Sequence, residues 1–204
     1  MVHDVAAVEE VPPTAHRASR RGVIVAGCAL ATGLLSGRVG EAGAVLARSK
    51  AQDALVLRLV LQLEQTQVAF YEQALARAGL KGALREFAET ALGHEREHLA
   101  AIRKALGKTP PAPTFEFGVR TANNGAFVAT AIELEDIAVA AYNGQATNLT
   151  KPTLAAAAAI VSVEARHAAW VRALESKVAA PHPVDKPMTA QDAANRLFAI
   201  GLRP

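Results

Sequence analysis

Apolar side chains recur three and four residues apart in four long stretches of the chain. Leu57, Val60, Glu64, Val68, Tyr71 and Leu75 share one helical face of the first stretch, and Phe87, Ala91, Glu95, His98, Ile102 and Leu106 share one face of the second. Val128, Ala131, Glu135, Val139 and Tyr142 align in the third, and Ile160, Glu164, His167, Val171, Leu174 and Val178 in the fourth. Stripes of this period face a core, so the pattern predicts helices over about 50–79, 82–107, 120–148 and 152–178. Gly79, Gly82, Gly107, Asn148 and Pro152 mark their ends. The Pro-rich segment GKTPPAPTFEFG between the second and third helices reads as extended. Twelve such residues reach at most about 40 Å, enough to run alongside a helix. After the linker APHPVDKP, Thr189 can cap a short helix through about Ile200, expected to pack outside the bundle. The fold class is all-α: a four-helix bundle built from two repeated helix pairs, plus a short C-terminal helix.

Each apolar stripe is interrupted by acidic or imidazole side chains, and the interruptions repeat. Adding 71 to Glu64 and Tyr71 gives Glu135 and Tyr142; adding 69 to Glu95, His98, Arg103 and Lys108 gives Glu164, His167, Arg172 and Lys177. Residues three apart on a helix are neighbours, so Glu95 with His98, and Glu164 with His167, can grip one ion. Four carboxylates pointed into an apolar interior would cost several kcal/mol each in unpaired charge, roughly, unless neutralised. Two divalent cations balance them. Such a set of helix-borne ligands is the one known from ferritin-like di-metal carboxylate proteins.

The segments LQLEQTQVAFYEQAL, HEREHLAAI, AIELEDIAVAAYNGQA and VSVEARHAAWVRAL resemble the four helices of a bacterial ferritin-like domain, of the exported group that includes desiccation-related proteins. The resemblance implies a dinuclear iron or manganese site held by Glu64, Glu95, His98, Glu135, Glu164 and His167, with Glu95 and Glu164 bridging. Mixed Glu and His ligation suits iron or manganese without choosing between them or against zinc. Tyr71 and Tyr142 lie two turns beyond the lone Glu of their helices, where each hydroxyl could bond a ligand or each ring fill the core. His94 has Val163 as its repeat counterpart and reads as surface or as a neighbour of the ligands; Glu97 and Glu133 read as solvated surface, and Trp170 as helix packing.

Composition agrees with a helical bundle: aromatic residues are only 4% of 204, which disfavours a β-sandwich. The net charge of +3 comes from dispersed basic residues with no aromatic platform, so no nucleic-acid partner is expected. The chain divides into an N-terminal region and export signal over 1–44, the bundle over 50–178, and a linker with a short helix over 179–204. Arg20-Arg21 opens an apolar stretch to Leu35, resembling a twin-arginine export signal, and Ala42-Gly43-Ala44 offers a small-residue cleavage pattern. That apolar run is shorter than the about 20 residues a membrane-spanning helix needs. Val25-Ala26-Gly27-Cys28 offers the competing reading of a lipobox with the sole cysteine as anchor. The expected location is the periplasm, cell envelope or extracellular space, with membrane contact only through this leader; self-association is left open. The resemblance implies redox chemistry with dioxygen or peroxide as small-molecule substrate, in ferrous-iron oxidation, peroxide removal or protection against oxidative and desiccation stress. A manganese-catalase-like enzyme and a non-enzymatic structural, stress-protective bundle stand as alternatives.

Overall fold

The computed structural model describes residues 48–203, so the twin-arginine-like pair, Cys28 and the cleavage pattern lie outside the described residues. Helices α1 (Lys50–Arg77) and α2 (Gly82–Leu106) form one hairpin; α3 (Asn124–Gln145) and α4 (Lys151–Leu174) form the other. The hairpins meet through α1 against α3 and α2 against α4. Each start has a local cause. Ser49 Oγ accepts from the Gln52 amide at 3.2 Å, Asn123 Oδ1 accepts from the Ala126 amide at 3.0 Å, and Pro152 stands in the first turn of α4.

Two helix ends differ most from the periodicity. The third helix begins at Asn124, not near residue 120, because Gly118–Thr121 winds as a 3-10 turn and Asn123 then supplies the cap. The fourth ends at Leu174, not 178, because the chain turns through Ser176 at a φ of 54°. Val178 therefore leaves its stripe and is 70% exposed.

The crossover and the C-terminus meet. Strand β1 (Thr114–Phe115) pairs antiparallel with β2 (Leu202–Arg203), Thr114 opposite Arg203 and Phe115 opposite Leu202. Helix α5 (Ala190–Ile200), capped by Thr189, lies on α3 and α1 outside the four-helix bundle. It nevertheless contributes to the core, because Leu197 and Ile200 are buried in the same apolar cluster as the bundle residues. The linker ahead of α5 is fastened by the Met188 amide on the Ala140 carbonyl at 2.8 Å, and it crosses α3 at Gly144. A Cβ at residue 144 would collide with the Met188 carbonyl.

Rings fill one end of the core. Phe70, Tyr71, Phe87 and Phe127 are fully buried and meet edge-on or stacked at centroid distances of 5.4 to 6.3 Å. Burial of each such side chain contributes about 1.5–3 kcal/mol, so this cluster anchors the helices around the polar centre beside it. Trp170 packs edge-on against Phe87 at 5.2 Å, as helix packing requires. Glu97 is exposed, and half-exposed Glu133 pairs with Arg120 at 3.1 Å and Arg196 at 3.4 Å. The opposite half of α4 is an alanine run, exposed except at half-buried Ala157; α4 is the one helix among the described residues long and apolar enough to cross a membrane, yet its Glu164 and His167 face the bundle interior.

Candidate metal centre

All six polar residues that interrupt the stripes converge. Glu64 on α1, Glu95 on α2, Glu135 on α3 and Glu164 on α4 have no exposed surface, and His98 and His167 retain 8% and 2%. Their ligand atoms fall into two overlapping quartets, Glu64, Glu95, His98 and Glu164 in one and Glu95, Glu135, Glu164 and His167 in the other, each within 4.8 Å. Glu95 and Glu164 belong to both.

The centre is built across the two hairpins. His98 Nδ1 of the first hairpin lies 2.9 Å from Glu164 Oε1 of the second, and His167 Nδ1 of the second lies 3.1 Å from Glu95 Oε1 of the first. His98 also reaches Glu95 Oε2 at 3.1 Å and Glu64 Oε2 at 3.5 Å; His167 reaches Glu135 Oε2 at 3.4 Å. Neither hairpin alone holds a complete quartet.

Several of these atoms lack the hydrogen bond that burial demands. Glu64 Oε2, Glu95 Oε1, Glu164 Oε1 and His167 Nδ1 are buried without a well-aligned partner. Apart from the His98 Nδ1–Glu95 Oε2 hydrogen bond, the close approaches just described are ligand atoms crowded around shared points rather than well-aligned hydrogen bonds. An unsatisfied buried carboxylate oxygen costs about 1–3 kcal/mol or more, and a cation between these atoms removes that cost for the set at once. Four carboxylates and two imidazoles fit divalent iron or manganese by donor chemistry.

A surrounding layer fixes the carboxylates. Tyr142 donates its hydroxyl to Glu64 Oε1 at 2.6 Å, and Tyr71 donates to Glu135 Oε1. Both tyrosines also pack in the core, so hydrogen bonding and space filling coincide in them. Gln67, which the stripe pattern passed over, donates from Nε2 to Glu135 Oε2 and Glu164 Oε2, both at 3.2 Å. It stands three residues after Glu64, on the same helical face, so spacing alone could have found it. His94 is exposed, yet its ring stacks on His167 at 5.1 Å and its Nδ1 lies 2.9 Å from His167 Nε2. The ring nitrogen of His167 that faces away from the carboxylates thus has a partner, the usual way a ligating imidazole is oriented.

Crowding also sets protonation. Burial, reinforced by the charge of Glu95, pushes the Glu64 carboxyl up to about 8, despite the bond from His98. Burial and the neighbouring Glu95 and Glu64 charges hold Glu164 well above the ordinary carboxylate range. Burial works against ionised Glu95, but bonds from His167, His98 and Glu64 outweigh it and bring that carboxyl down to about 2. Burial disfavours charge on both imidazoles, and the facing carboxylates override it. Glu164, Glu64 and Glu95 raise His98 to about 12; Glu135 and Glu95 raise His167 to about 10. Without metal, protons therefore do the neutralising.

Among curated proteins, none matches this chain. Residues 52–177 match the family model for the ferritin-like domain, a span that holds all six converging residues, and the chain belongs to that family.

Proposed function

We propose that Glu64, Glu95, His98, Glu135, Glu164 and His167 hold two iron or manganese ions, with Glu95 and Glu164 bridging, in an exported protein that works on dioxygen or peroxide. One observation carries this reading: the two ligand quartets share two carboxylates and no imidazole. That is the arrangement two adjacent cations need, one imidazole each and a pair of common carboxylates between them. When bound, the metals would supply electrons to dioxygen or peroxide, or take them from peroxide. The residues supply position and exclusion. Tyr71 and Tyr142 hold the two unshared carboxylates by one oxygen each; the other oxygen of Glu64 is left for metal, and that of Glu135 keeps a lone pair for metal beside its bond from Gln67. Phe87, Phe127 and Trp170 keep bulk water from the His167 side.

Oxidative and desiccation stress is the setting this chemistry fits, and the twin-arginine-like leader supports export of a protein folded around its metals. Elemental analysis of purified, reconstituted protein tests the reading, together with ferrous-oxidation and peroxide-consumption assays. Two metal equivalents per chain with turnover of either oxidant are expected. Fewer than one equivalent under saturating iron or manganese overturns it, and two equivalents without turnover would favour a structural metal in a stress-protective bundle.

A further inference from the structure

The centre is sealed, and what seals it differs from side to side. Its four carboxylates have no exposed surface, and His98 and His167 keep only 8% and 2%. A cation that is to occupy it must cross one of its walls. On the Tyr71 side Phe70, Phe87 and Phe127 fill the space with rings. On the Tyr142 side Val60, Ile102 and Ile160, each four residues from Glu64, His98 or Glu164, line an apolar cavity whose wall carries no charged side chain. Neither wall offers replacements for the waters that a divalent ion sheds, and stripping an ion in apolar surroundings is strongly unfavourable.

The side where α2 meets α4 is different. Among the described residues, the polar side chains that bond the ligand set from outside it are Tyr71, Tyr142, Gln67 and His94. The first three are buried, and only His94 is exposed. Its Nδ1 lies 2.9 Å from Nε2 of His167, whose own Nδ1 lies 3.1 Å from Glu95 Oε1 and 3.4 Å from Glu135 Oε2. Nε2 of His94 has no protein partner among the described residues. Two imidazoles in succession thus join solvent to the buried carboxylates, each step no longer than the spacing of neighbouring ligand atoms. Phe87 meets His167 at 6.4 Å and Trp170 at 5.2 Å, so His94 is the polar opening in an otherwise aromatic wall.

The repeat places this opening on the His167 side alone. The offset that carries His98 to His167 carries His94 to Val163, so the matching position beside His98 is a half-buried apolar side chain. Exposed Glu97, three residues on along α2, favours a cation at His94, whereas the charge of Arg166 is felt there and opposes it. Capture therefore falls to the imidazole and not to the surrounding charge.

We propose that His94 is the port through which divalent iron or manganese enters and leaves the centre: it takes the ion from water at Nε2, and a turn of its ring away from His167 passes the ion inward to His167, Glu95 and Glu135. The inference rests on the metal reading above and adds the route. A port lowers the barrier between free and bound ion without changing the energy of either, so it speeds entry and exit by the same factor. A partner that only orients a ligand acts on the bound state, and its loss shows in affinity.

Manganese uptake by the metal-free full chain, read from the loss of the free-ion paramagnetic resonance signal, and release into excess chelator test the proposal. His94→Asn sets an amide oxygen where Nδ1 stands, so His167 keeps a hydrogen-bond partner while the capturing imidazole is gone. It should slow uptake and release alike by about ten-fold or more, the equivalent of about 1.4 kcal/mol on the barrier, with a dissociation constant within about two-fold of the parent. Ala101→Phe, at the exposed lip of the apolar cavity, should leave both rates unchanged. His94→Gln repeats the test if His94→Asn does not fold. Parent rates in the His94 variant, weaker affinity with an unchanged uptake rate, or uptake slowed by Ala101→Phe instead would overturn the port. A parent chain that takes up no manganese would remove the metal reading and the port with it, an outcome distinct from uptake that ignores His94.

Discussion

Tyr142, on α3, donates to Oε1 of Glu64, on α1, at 2.6 Å, so the tyrosine of one repeat clamps the unshared carboxylate of the other. Tyr71 does the same for Glu135 in the opposite direction. The exchange ties the two hairpins together at the centre itself.

Removing either hydroxyl should therefore act on metal more than on fold. Tyr142→Phe and Tyr71→Phe keep the ring and leave a buried carboxylate oxygen without its donor, and loss of such an outer partner typically costs about 10–100-fold in metal affinity. Calorimetric titration with manganese should show that loss with the helical circular dichroism unchanged. An affinity within two-fold of the parent, roughly, would assign the tyrosines to packing alone.

The linker gives a second, purely structural test. Gly144→Ala puts a methyl where the Met188 carbonyl lies, so the segment that leads into α5 must lift and loosen Leu197 and Ile200. Overpacking of this kind typically costs about 1–3 kcal/mol. Urea unfolding should show the loss as a lower midpoint, whereas an unaltered midpoint would mean that the linker can move freely off α3.

The ligands were legible because each is a polar residue on an apolar stripe and because the pattern occurs twice; either signal alone is weak. Gln67 was equally readable by spacing but is neutral, so a search for buried charge passes over it. His94 was only half legible. Its contact with His167 depends on how α2 crosses α4, and no local pattern encodes a crossing. The periodicity carried the fourth helix to Val178 because it registers apolar spacing and not the positive φ at Ser176. Pairing of Phe115 with Leu202 joins positions far apart in sequence, and strands of two residues leave no alternation to detect.

The proposed export would rest on residues outside the described structure and has its own test. Arg20→Lys with Arg21→Lys should retain the precursor in the cytoplasm, since the pair directly precedes the apolar stretch and the small-residue pattern follows it. Cys28→Ala in the same fractionation separates the readings: release from membranes supports lipidation. Unchanged location after the double substitution would remove the twin-arginine proposal and leave the metal centre untouched.

Sharing of Glu95 and Glu164 predicts an asymmetry among ligand substitutions. Glu64→Ala removes a ligand from one quartet and Glu135→Ala from the other, so each should leave one ion tightly bound. Glu95→Ala or Glu164→Ala removes a ligand common to both quartets and should weaken both ions together. Metal-to-protein ratios after dialysis read this directly. Equal stoichiometry in all four variants would mean that the two shared carboxylates do not bridge.

The last prediction concerns pH, and its sign differs between metal-free and metal-bound protein. Glu64 goes from an ordinary 4.5 when unfolded to about 8 when folded, so the stability linked to its proton is complete below 4.5 and is lost as pH rises through 8. The imidazoles add to the same slope: their contribution is complete below 6.5 and fades as pH rises toward about 10 for His167 and about 12 for His98. Glu95 acts the other way, but lower down; with a folded value of about 2, its contribution is present above 4.5 and fails only as pH falls toward 2. From about pH 5 to about pH 8 the metal-free protein should therefore lose stability as pH rises. Metal must displace those same protons to bind, so its affinity should rise over the same interval. The melting temperature without metal should fall, and the increment on adding saturating manganese should grow. A metal increment that is flat or shrinks with rising pH would mean that Glu64 and the two imidazoles release no protons to metal, and that the ion, if bound, is held elsewhere.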